Sequence, residues 1–278
     1  HLEKMGKTVT YLPVDRYGLV DPGDIEEAIT DRTLLISIMA ANNEIGTIAP
    51  LKEIGKIAKA HGVLFHTDAA QAVGHIPIDV KEMGIDLLSL SGHKVYGPKG
   101  IGALYIKGAN PKGKVSPVMF GGGHERGIRS GTYNVPGIVG LGEALEIAQK
   151  EMGAENEKFR RWTKQMFEAF QENIEGVTLN GHPEKRLAHN LNVCFPGVES
   201  KALIHLLQKD LAISVGSACT TTSVEPSYVL RALGLNDGAV FSTVRMGLGR
   251  LNSDDEVEHA IINIIDSIRK LRRVQGAL

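Results

Sequence analysis

The stretch "PLKEIGKIAKAHGVLFHTDA", residues 50–69, joins a helical pattern to a strand pattern. Its first part repeats apolar residues at intervals of three and four and stops at Gly62, which predicts an amphipathic helix. The part from Val63 onward, "VLFHTDA", is rich in β-forming residues, which predicts a strand that ends at Asp68. A helix that leads into a buried strand is the repeating unit of an α/β fold.

The same alternation recurs through the first half of the chain. Five apolar runs predict strands, namely "TVTYLPV" (8–14), "LLISIMA" (34–40), "VLFHTDA" (63–69), "DLLSLSG" (86–92) and "GALYIK" (102–107). Helical segments such as "PGDIEEAIT" lie between them. Parallel strands covered on both faces are apolar almost throughout, as "LLISIMA" is, so we predict a mostly parallel sheet covered by helices.

The second half has a different pattern. A long amphipathic stretch from 137 to 173 is followed by the strand "HNLNVCF", the helix "SKALIHLLQKD", a strand near "AISVGSA" and a closing helix over 253–273. We therefore predict a large domain over 1–148 and a smaller α+β domain over 149–278. The opening "HLEKMG" has the pattern of a helix that ends at Gly6, so we expect the sequence to begin within a fold.

The composition excludes several classes of protein. The 31 basic and 32 acidic residues give a net charge of -1, and no basic block is dense enough to follow a nucleic-acid backbone. No uncharged run has the length and apolarity of a membrane span. The 10 histidines lack metal-ligand spacing, and the 2 cysteines indicate free thiols in a reducing compartment. We expect no nucleic-acid, membrane or metal partner.

Asp68 and Lys94 are the strongest candidates for catalysis. Asp68 ends an apolar run, so we expect it to be nearly buried, where a carboxylate needs a cation or several donors. It either caps a helix that begins at Ala69 or faces the protonated ring nitrogen of pyridoxal phosphate. Lys94 lies in "SGHKVYGPKG" (91–100), a loop restricted by glycines and a proline.

Taken alone, Lys94 is a solvated loop lysine. Taken with Asp68, it fits a Schiff-base lysine, because one strand–helix–strand unit sets the two side chains next to each other and partial desolvation lowers the charged fraction of the amine. Ser91 and His93 flank the lysine and offer donors to a phosphate.

The two cysteines have different surroundings. Cys194 lies in the apolar alternation of "NLNVCF", which predicts a core residue. Cys219 lies in "SVGSACTTTS" (214–223) among small and hydroxylated residues, and an accessible thiol is a candidate nucleophile. The helix "SYVLRALG" follows, with Ser223 or Glu225 as the expected cap, and a helix N-terminus favours the thiolate.

Two further motifs leave alternatives open. Arg245 follows a β-like run in "FSTVRMGLGR", which predicts a partly buried guanidinium that binds either a ligand carboxylate or a structural partner. The glycine-rich "GGGHERGIRSGT" (121–132) suits a phosphate site, a subunit contact or a simple turn.

In order along the chain, these motifs resemble the class V aminotransferase-fold enzymes, and specifically the cysteine desulfurases that supply sulfur for iron–sulfur clusters. The matching motifs are "NNEIG", "HTDAAQAVG", "SGHKVYGPKGIGALY", "GGGHERGIRSGT", "GSACT" and "EPSYVLRALG". The resemblance implies a pyridoxal-5'-phosphate-dependent transferase of fold type I that forms a homodimer.

The resemblance also implies a role for individual residues. These roles are Lys94 as the Schiff-base lysine, Asp68 at the pyridinium nitrogen, Gln71 at the ring hydroxyl, Ser91 and His93 at the phosphate, Thr132 at the phosphate of the neighbouring subunit, Asn43 and Arg245 at the substrate carboxylate, and Cys219 as the sulfur acceptor. The implied reaction converts L-cysteine to L-alanine and leaves a persulfide on Cys219. The sulfur then passes to an iron–sulfur scaffold or another acceptor protein.

Members of the family also have about a hundred further residues upstream of the part that this sequence matches. These residues supply a histidine stacked on the cofactor ring and a glycine–threonine loop for the phosphate, so we expect an N-terminally incomplete large domain. The alternatives are a cofactor-free dimerising or scaffold-binding module, and another pyridoxal-phosphate enzyme such as a selenocysteine lyase or an aminotransferase. The expected compartment is the bacterial cytoplasm, with the mitochondrial matrix as the second choice.

Overall fold

The computed structural model describes residues 1–108, 115–215 and 226–275. Single 3-10 turns lie at Glu3–Met5, Gly92–Val95 and Glu125–Gly127. The helices and strands, in chain order, are α1 (Pro22–Ala28), β1 (Leu35–Ser37), α2 (Leu51–Ala60), β2 (Leu64–Asp68), β3 (Leu87–Ser91), β4 (Gly102–Ile106), α3 (Val135–Asn173), β5 (Thr178–Leu179), β6 (Asn190–Cys194), α4 (Ser200–Leu207), α5 (Tyr228–Ala232), α6 (Asp237–Phe241), β7 (Thr243–Gly247) and α7 (Asp254–Gln275).

The chain divides into two compact units. We call Ile29–Ala40 together with Pro50–Met152 the sheet unit, and His1–Ala28, Ala41–Ala49 and Gly153–Leu278 together the C-terminal unit. Helix α3 passes through the boundary between residues 152 and 153. This boundary lies close to the predicted division at 148 and 149, but the segments 1–28 and 41–49 group with the C-terminal half. Sequence patterns are local and do not reveal that the chain folds back in this way.

The sheet unit contains a four-stranded sheet in the order β1-β2-β3-β4. The pairs β1–β2 and β2–β3 are parallel and the pair β3–β4 is antiparallel, which confirms the predicted mostly parallel α/β sheet. The run 34–40 was expected to be covered on both faces. Only Ile36 of β1 is buried, because β1 lies at an edge of this sheet.

Helix α2 packs against the sheet of this unit, as predicted. Its apolar residues Leu51, Ile54 and Ala58 recur on one face and are buried. Gly55 on the same face lets the backbone at Met83 come close to the helix, since a Cβ atom on Gly55 would lie 1.9 Å from the carbonyl oxygen of Met83.

The C-terminal unit contains the antiparallel sheet β5-β6-β7, packed against helices. All five residues of β6 are buried. The core side chains repeat at helical spacing along α3 and α7, and they include Phe159, Trp162, Met166, Phe170, Ile261, Ile264 and Ile268. This arrangement confirms the predicted α+β pattern of the second half.

One strand prediction was wrong. Residues 8–14 have the composition of a strand, but the described residues contain no strand that pairs with them. A strand needs a neighbour to complete its backbone hydrogen bonds, and Pro13 removes one donor. The expected strand near "AISVGSA" is reduced to a bridge between Ser214 and Arg245, and its last residues lie outside the described ranges.

Candidate functional site

The carboxyl ends of β2 and β3 lie side by side along one edge of the parallel sheet, the edge at which its parallel strands end. Asp68 is the last residue of β2 and pairs with Ser89 on β3, so Ser91, the last residue of β3, lies at the same edge. The Ala69 N–H donates to the Ser89 carbonyl oxygen at 2.9 Å and ties the two ends together. Ligands of open α/β sheets bind outside the carboxyl ends of the strands, so this edge is the candidate cofactor site.

Asp68 is exposed, which corrects the expectation that it is nearly buried. Side chains alternate along a strand, and Phe65 and Thr67 take the buried positions of β2, so Asp68 projects from the other face. Its Oδ1 accepts the N–H of Ala70 at 2.9 Å. This is the contact of a capping carboxylate, although a turn and not a helix follows.

The backbone of Lys94 is held on three sides. Gly92 is buried and donates its N–H to the Ile101 carbonyl oxygen at 2.9 Å. Val95 is 3% exposed and packs on α3. His75 Nε2 lies 3.2 Å from the Lys94 carbonyl oxygen, which accepts when that nitrogen carries the proton.

The side chain of Lys94 is exposed, so the expected desolvation of its amine is absent in this structure. The backbone that carries this side chain is nevertheless closely packed, since a Cβ atom on Gly92 would lie 2.9 Å from Ile101 Cγ2, closer than side chains normally approach. His93 is exposed, whereas Ser91 and Gln71 are half-buried. Five of the predicted cofactor residues thus lie at or just after the ends of β2 and β3, namely Asp68, Gln71, Ser91, His93 and Lys94.

A row of hydrogen-bonded polar side chains, which sequence reasoning missed, crosses the same sheet. His66 lies two residues before Asp68 on β2, with Nδ1 2.8 Å from Ser37 Oγ and Nε2 3.4 Å from Ser89 Oγ. Burial lowers the pKa of His66, and the Asp68 charge acts in the opposite direction. The His66 imidazole therefore links three strands beside the candidate carboxylate. The feature of the sequence that could have revealed this row is His66 itself, a histidine within a predicted strand.

In the C-terminal unit, Asn43 and Arg245 are in contact. Arg245 Nη1 donates to the Asn43 carbonyl oxygen at 2.8 Å, and both residues are half-buried. The partial burial of Arg245 confirms the prediction from sequence. A guanidinium has five donors, and this contact uses one of them, so donors are left for a carboxylate.

The backbone of Arg245 is fixed as well. Its N–H donates to the Ser214 carbonyl oxygen at 2.7 Å, and the Ser214 N–H donates back at 3.1 Å. Cys219, five residues after Ser214 in the sequence, lies outside the described residues.

Glu44 is a second residue that sequence reasoning missed. Its side chain is 1% exposed, and its Oε2 accepts a hydrogen bond from Ser227 Oγ at 2.6 Å. Burial raises the pKa of Glu44, while the Ser227 hydrogen bond and the charge of Arg245 lower it. The available signal was a carboxylate next to the apolar Ile45 in "NNEIG".

Ser227 is also the N-cap of α5, where its Oγ accepts the Leu230 N–H at 3.2 Å. The predicted caps Ser223 and Glu225 both lie before Ser227, outside the described residues, so the choice of cap was wrong. A capping side chain must directly precede the helix, and the predicted helix "SYVLRALG" counted the actual cap, Ser227, as its first residue.

Cys194 is a core residue, as predicted. It is 3% exposed on β6, and its thiol donates to the Ala239 carbonyl oxygen at 3.5 Å. Burial raises the pKa of this thiol, which makes it a poor nucleophile.

Thr132 is exposed and lies just before α3. The glycine-rich segment ahead of it forms a 3-10 turn and a bridge between Met119 and Arg129. The Glu125 N–H donates to Tyr133 Oη at 3.3 Å and braces the segment. The role of Thr132 at a neighbouring subunit stays a prediction.

The described residues contain neither a candidate membrane-spanning helix nor a candidate metal-binding cluster. Over residues 1–108, 115–215 and 226–275 no helix is long and apolar enough to cross a membrane. In the same ranges no three histidine, cysteine or acidic side chains converge as metal ligands would.

Comparison with known proteins agrees with the resemblance seen in the motifs. The aminotransferase class-V family model matches residues 1–259. The cysteine desulfurase IscS of Rickettsia prowazekii is 50% identical over 278 residues, which cover 99% of this chain and 66% of that protein. The mitosomal cysteine desulfurase of Encephalitozoon cuniculi is 50% identical over 274 residues, which cover 99% of this chain and 63% of that protein.

Solved structures show the same likeness. A NifS-like protein aligns with 100% of this chain and 70% of its own chain, with a TM-score of 0.85 and 33% identity. SspA in complex with cysteine aligns with 89% of this chain and 68% of its own, with a TM-score of 0.74 and 40% identity. The chain spans about two thirds of the length of the relatives it matches, 66% for the IscS of Rickettsia prowazekii. It belongs to the aminotransferase class-V family.

Proposed function

We propose that this chain carries the cofactor-binding and sulfur-accepting residues of a pyridoxal-phosphate-dependent cysteine desulfurase. The observation that carries the proposal is the position of Lys94, which has an immobilised backbone and an exposed amine at the same sheet edge as Asp68. Relatives that are 50% identical and named cysteine desulfurase support the assignment.

The side chains at this edge fit the cofactor. The amine of Lys94 suits its carbonyl carbon, the carboxylate of Asp68 suits its protonated ring nitrogen, and Ser91 and His93 suit its phosphate. Gln71 would contact the ring hydroxyl. When bound, pyridoxal phosphate supplies an electron sink that weakens the Cβ–S bond of the substrate.

The chain's own residues would bind the substrate and move protons. Arg245 and Asn43 hold the carboxylate of L-cysteine, so that the amino acid has one orientation. The Lys94 amine removes the proton from Cα and returns one to Cβ.

Cys219 takes the sulfur. Its thiolate attacks the substrate sulfur, an S–S bond forms and the Cβ–S bond breaks. The electron pair of the broken bond stays with Cβ, which gains a proton and becomes the methyl group of L-alanine. L-Cysteine and the Cys219 thiol thus give L-alanine and a Cys219 persulfide, and no external oxidant is needed.

The proposal also includes the sulfur acceptor, the oligomeric state and the cellular location of the enzyme. The sulfur acceptor would be an iron–sulfur scaffold protein or another acceptor protein, and Thr132 would reach the cofactor phosphate of the second subunit of a homodimer. The bacterial IscS relatives support a cytoplasmic location, and the mitosomal relative supports an organelle as the alternative.

The test is L-alanine release from L-cysteine by the holoenzyme. Cys219→Ser should abolish release, because the serine hydroxyl cannot accept the sulfur. Cys194→Ala is the matched control, since it removes the other thiol from the core and should leave the rate per folded molecule unchanged. Full release by the Cys219→Ser variant would overturn the role of Cys219. Release of a keto acid in place of L-alanine would indicate transamination.

A further inference from the structure

Glu44 is a buried carboxylate to which the proposed mechanism gives no task. It lies next to Asn43 in the sequence, and its side chain is 1% exposed. Ser227 Oγ donates to its Oε2 at 2.6 Å, and the cationic Arg245 acts on it electrostatically. Glu44 is therefore connected with both residues proposed to hold the substrate carboxylate.

The backbone around Glu44 is locked. Its carbonyl oxygen accepts the side-chain amide N–H groups of Asn190 at 3.2 Å and Asn192 at 3.1 Å, both from β6. Its own N–H donates to Asn42 Oδ1 at 2.8 Å. The carbonyl of Asn43, which accepts from Arg245, thus lies in a segment with little freedom to shift.

Stability alone does not explain a carboxylate at this position. Taking a charged group out of water is costly, and burial has raised the pKa of Glu44 accordingly. A glutamine of the same shape would keep an oxygen for Ser227 without that cost. What only the charged form provides is an anion that attracts the Arg245 guanidinium, which donates to the carbonyl oxygen of the adjacent Asn43.

We propose that Glu44 is a positioning residue that orients Arg245 for the carboxylate of the amino-acid substrate and fixes Ser227 at the start of α5. This inference rests on the proposed function, because it assumes that Arg245 binds the substrate. Cys219 lies eight residues before Ser227 in the sequence, so one carboxylate connects Arg245 with the N-cap of the helix that follows Cys219 in the sequence.

The test compares Glu44→Gln with wild type in the holoenzyme by three measurements. These are KM and kcat for L-cysteine, the Kd for L-alanine from the absorbance of the bound cofactor, and the urea midpoint at neutral pH. We expect KM and the L-alanine Kd to rise together by about tenfold, with kcat within about twofold, because ground-state and transition-state binding weaken equally. The urea midpoint should be unchanged or higher.

Two further variants separate positioning from simple packing. Glu155 is the matched control, since it is 8% exposed in the same unit and is paired with Arg250. Glu155→Gln should lower the urea midpoint and leave KM and the L-alanine Kd unchanged. Ser227→Ala keeps the Glu44 charge but removes the hydrogen bond and the cap, so it should lower the midpoint and raise the L-alanine Kd less than Glu44→Gln does.

The outcomes are separable from those that test the enzymatic activity. An unchanged L-alanine Kd in Glu44→Gln overturns the assignment of Glu44, whether or not the protein transfers sulfur. A wild-type protein that binds L-alanine but releases none from L-cysteine overturns the proposed function, while the Kd comparison still decides the role of Glu44. A wild type that neither binds L-alanine nor releases it from L-cysteine overturns both.

Discussion

The two units of the chain hold their candidate functional residues in different ways. In the sheet unit, Asp68 and Lys94 are exposed side chains on a backbone fixed by strand pairing and by neighbours close in sequence. In the C-terminal unit, Arg245 and Glu44 are held by side-chain hydrogen bonds to residues 202 and 183 positions away.

The difference predicts how each unit responds to substitution. An exposed side chain can be replaced without loss of packing, so changes in the sheet unit should affect chemistry and leave stability intact. Truncation of a hydrogen-bonded group that is partly buried leaves its partner unpaired, so the loss of Arg245 in the C-terminal unit should affect both.

The largest expected effect is at Lys94. Lys94→Ala should lower L-alanine release by at least about a thousandfold, because the residue proposed to bind the cofactor and move the proton is lost. Borohydride should no longer fix the cofactor to the peptide that contains residue 94. The free energy of unfolding should stay within about 0.5 kcal/mol of wild type, since the side chain is exposed.

Lys99→Ala is the matched control for this comparison, because Lys99 is an exposed lysine of the same loop. Its rate and borohydride labelling should equal those of wild type. Labelling of Lys99 in the wild-type protein would contradict the assignment of Lys94.

A smaller effect on activity, joined to an effect on stability, is expected at Arg245. Arg245→Ala should raise the KM for L-cysteine by about a hundredfold, because hydrogen bonds to a charged group contribute about 1.5–3 kcal/mol. The free energy of unfolding should fall by about 1–3 kcal/mol, since the half-buried Asn43 carbonyl loses its donor. Urea denaturation together with initial rates measures both. A large KM effect without a loss of stability would remove the contrast between the units.

The smallest expected effect is the pH dependence that Glu44 confers on stability. Its pKa in the folded state lies above the ordinary value of 4.5, so the folded state binds more protons than the unfolded state in that range. The contribution of Glu44 to stability should therefore fall as pH rises from below 4.5 through the folded-state pKa, and stay constant above it. The difference in unfolding free energy between wild type and Glu44→Gln, measured against pH, reports this contribution. A difference that increases with pH in favour of the wild type would contradict it.

The same contrast explains which features the sequence predicted. The ends of β2 and β3 and the loop with Lys94 follow from apolar runs, glycines and their order, which are local signals. The burial of Asp68 was predicted wrongly, because alternation along β2 and not the apolar run decides which face a side chain takes. The contact of Glu44 with Ser227 could not be predicted, because no local pattern joins residues 183 positions apart.

The proposed reaction requires the sulfur of L-cysteine to pass to Cys219. Its most direct test is peptide mass spectrometry of the holoenzyme after one turnover with L-cysteine that carries isotopically labelled sulfur. We expect one added labelled sulfur atom on the peptide that contains Cys219 and none on the peptide that contains Cys194. Labelled sulfur on Cys194, or L-alanine release without any label on Cys219, would contradict it.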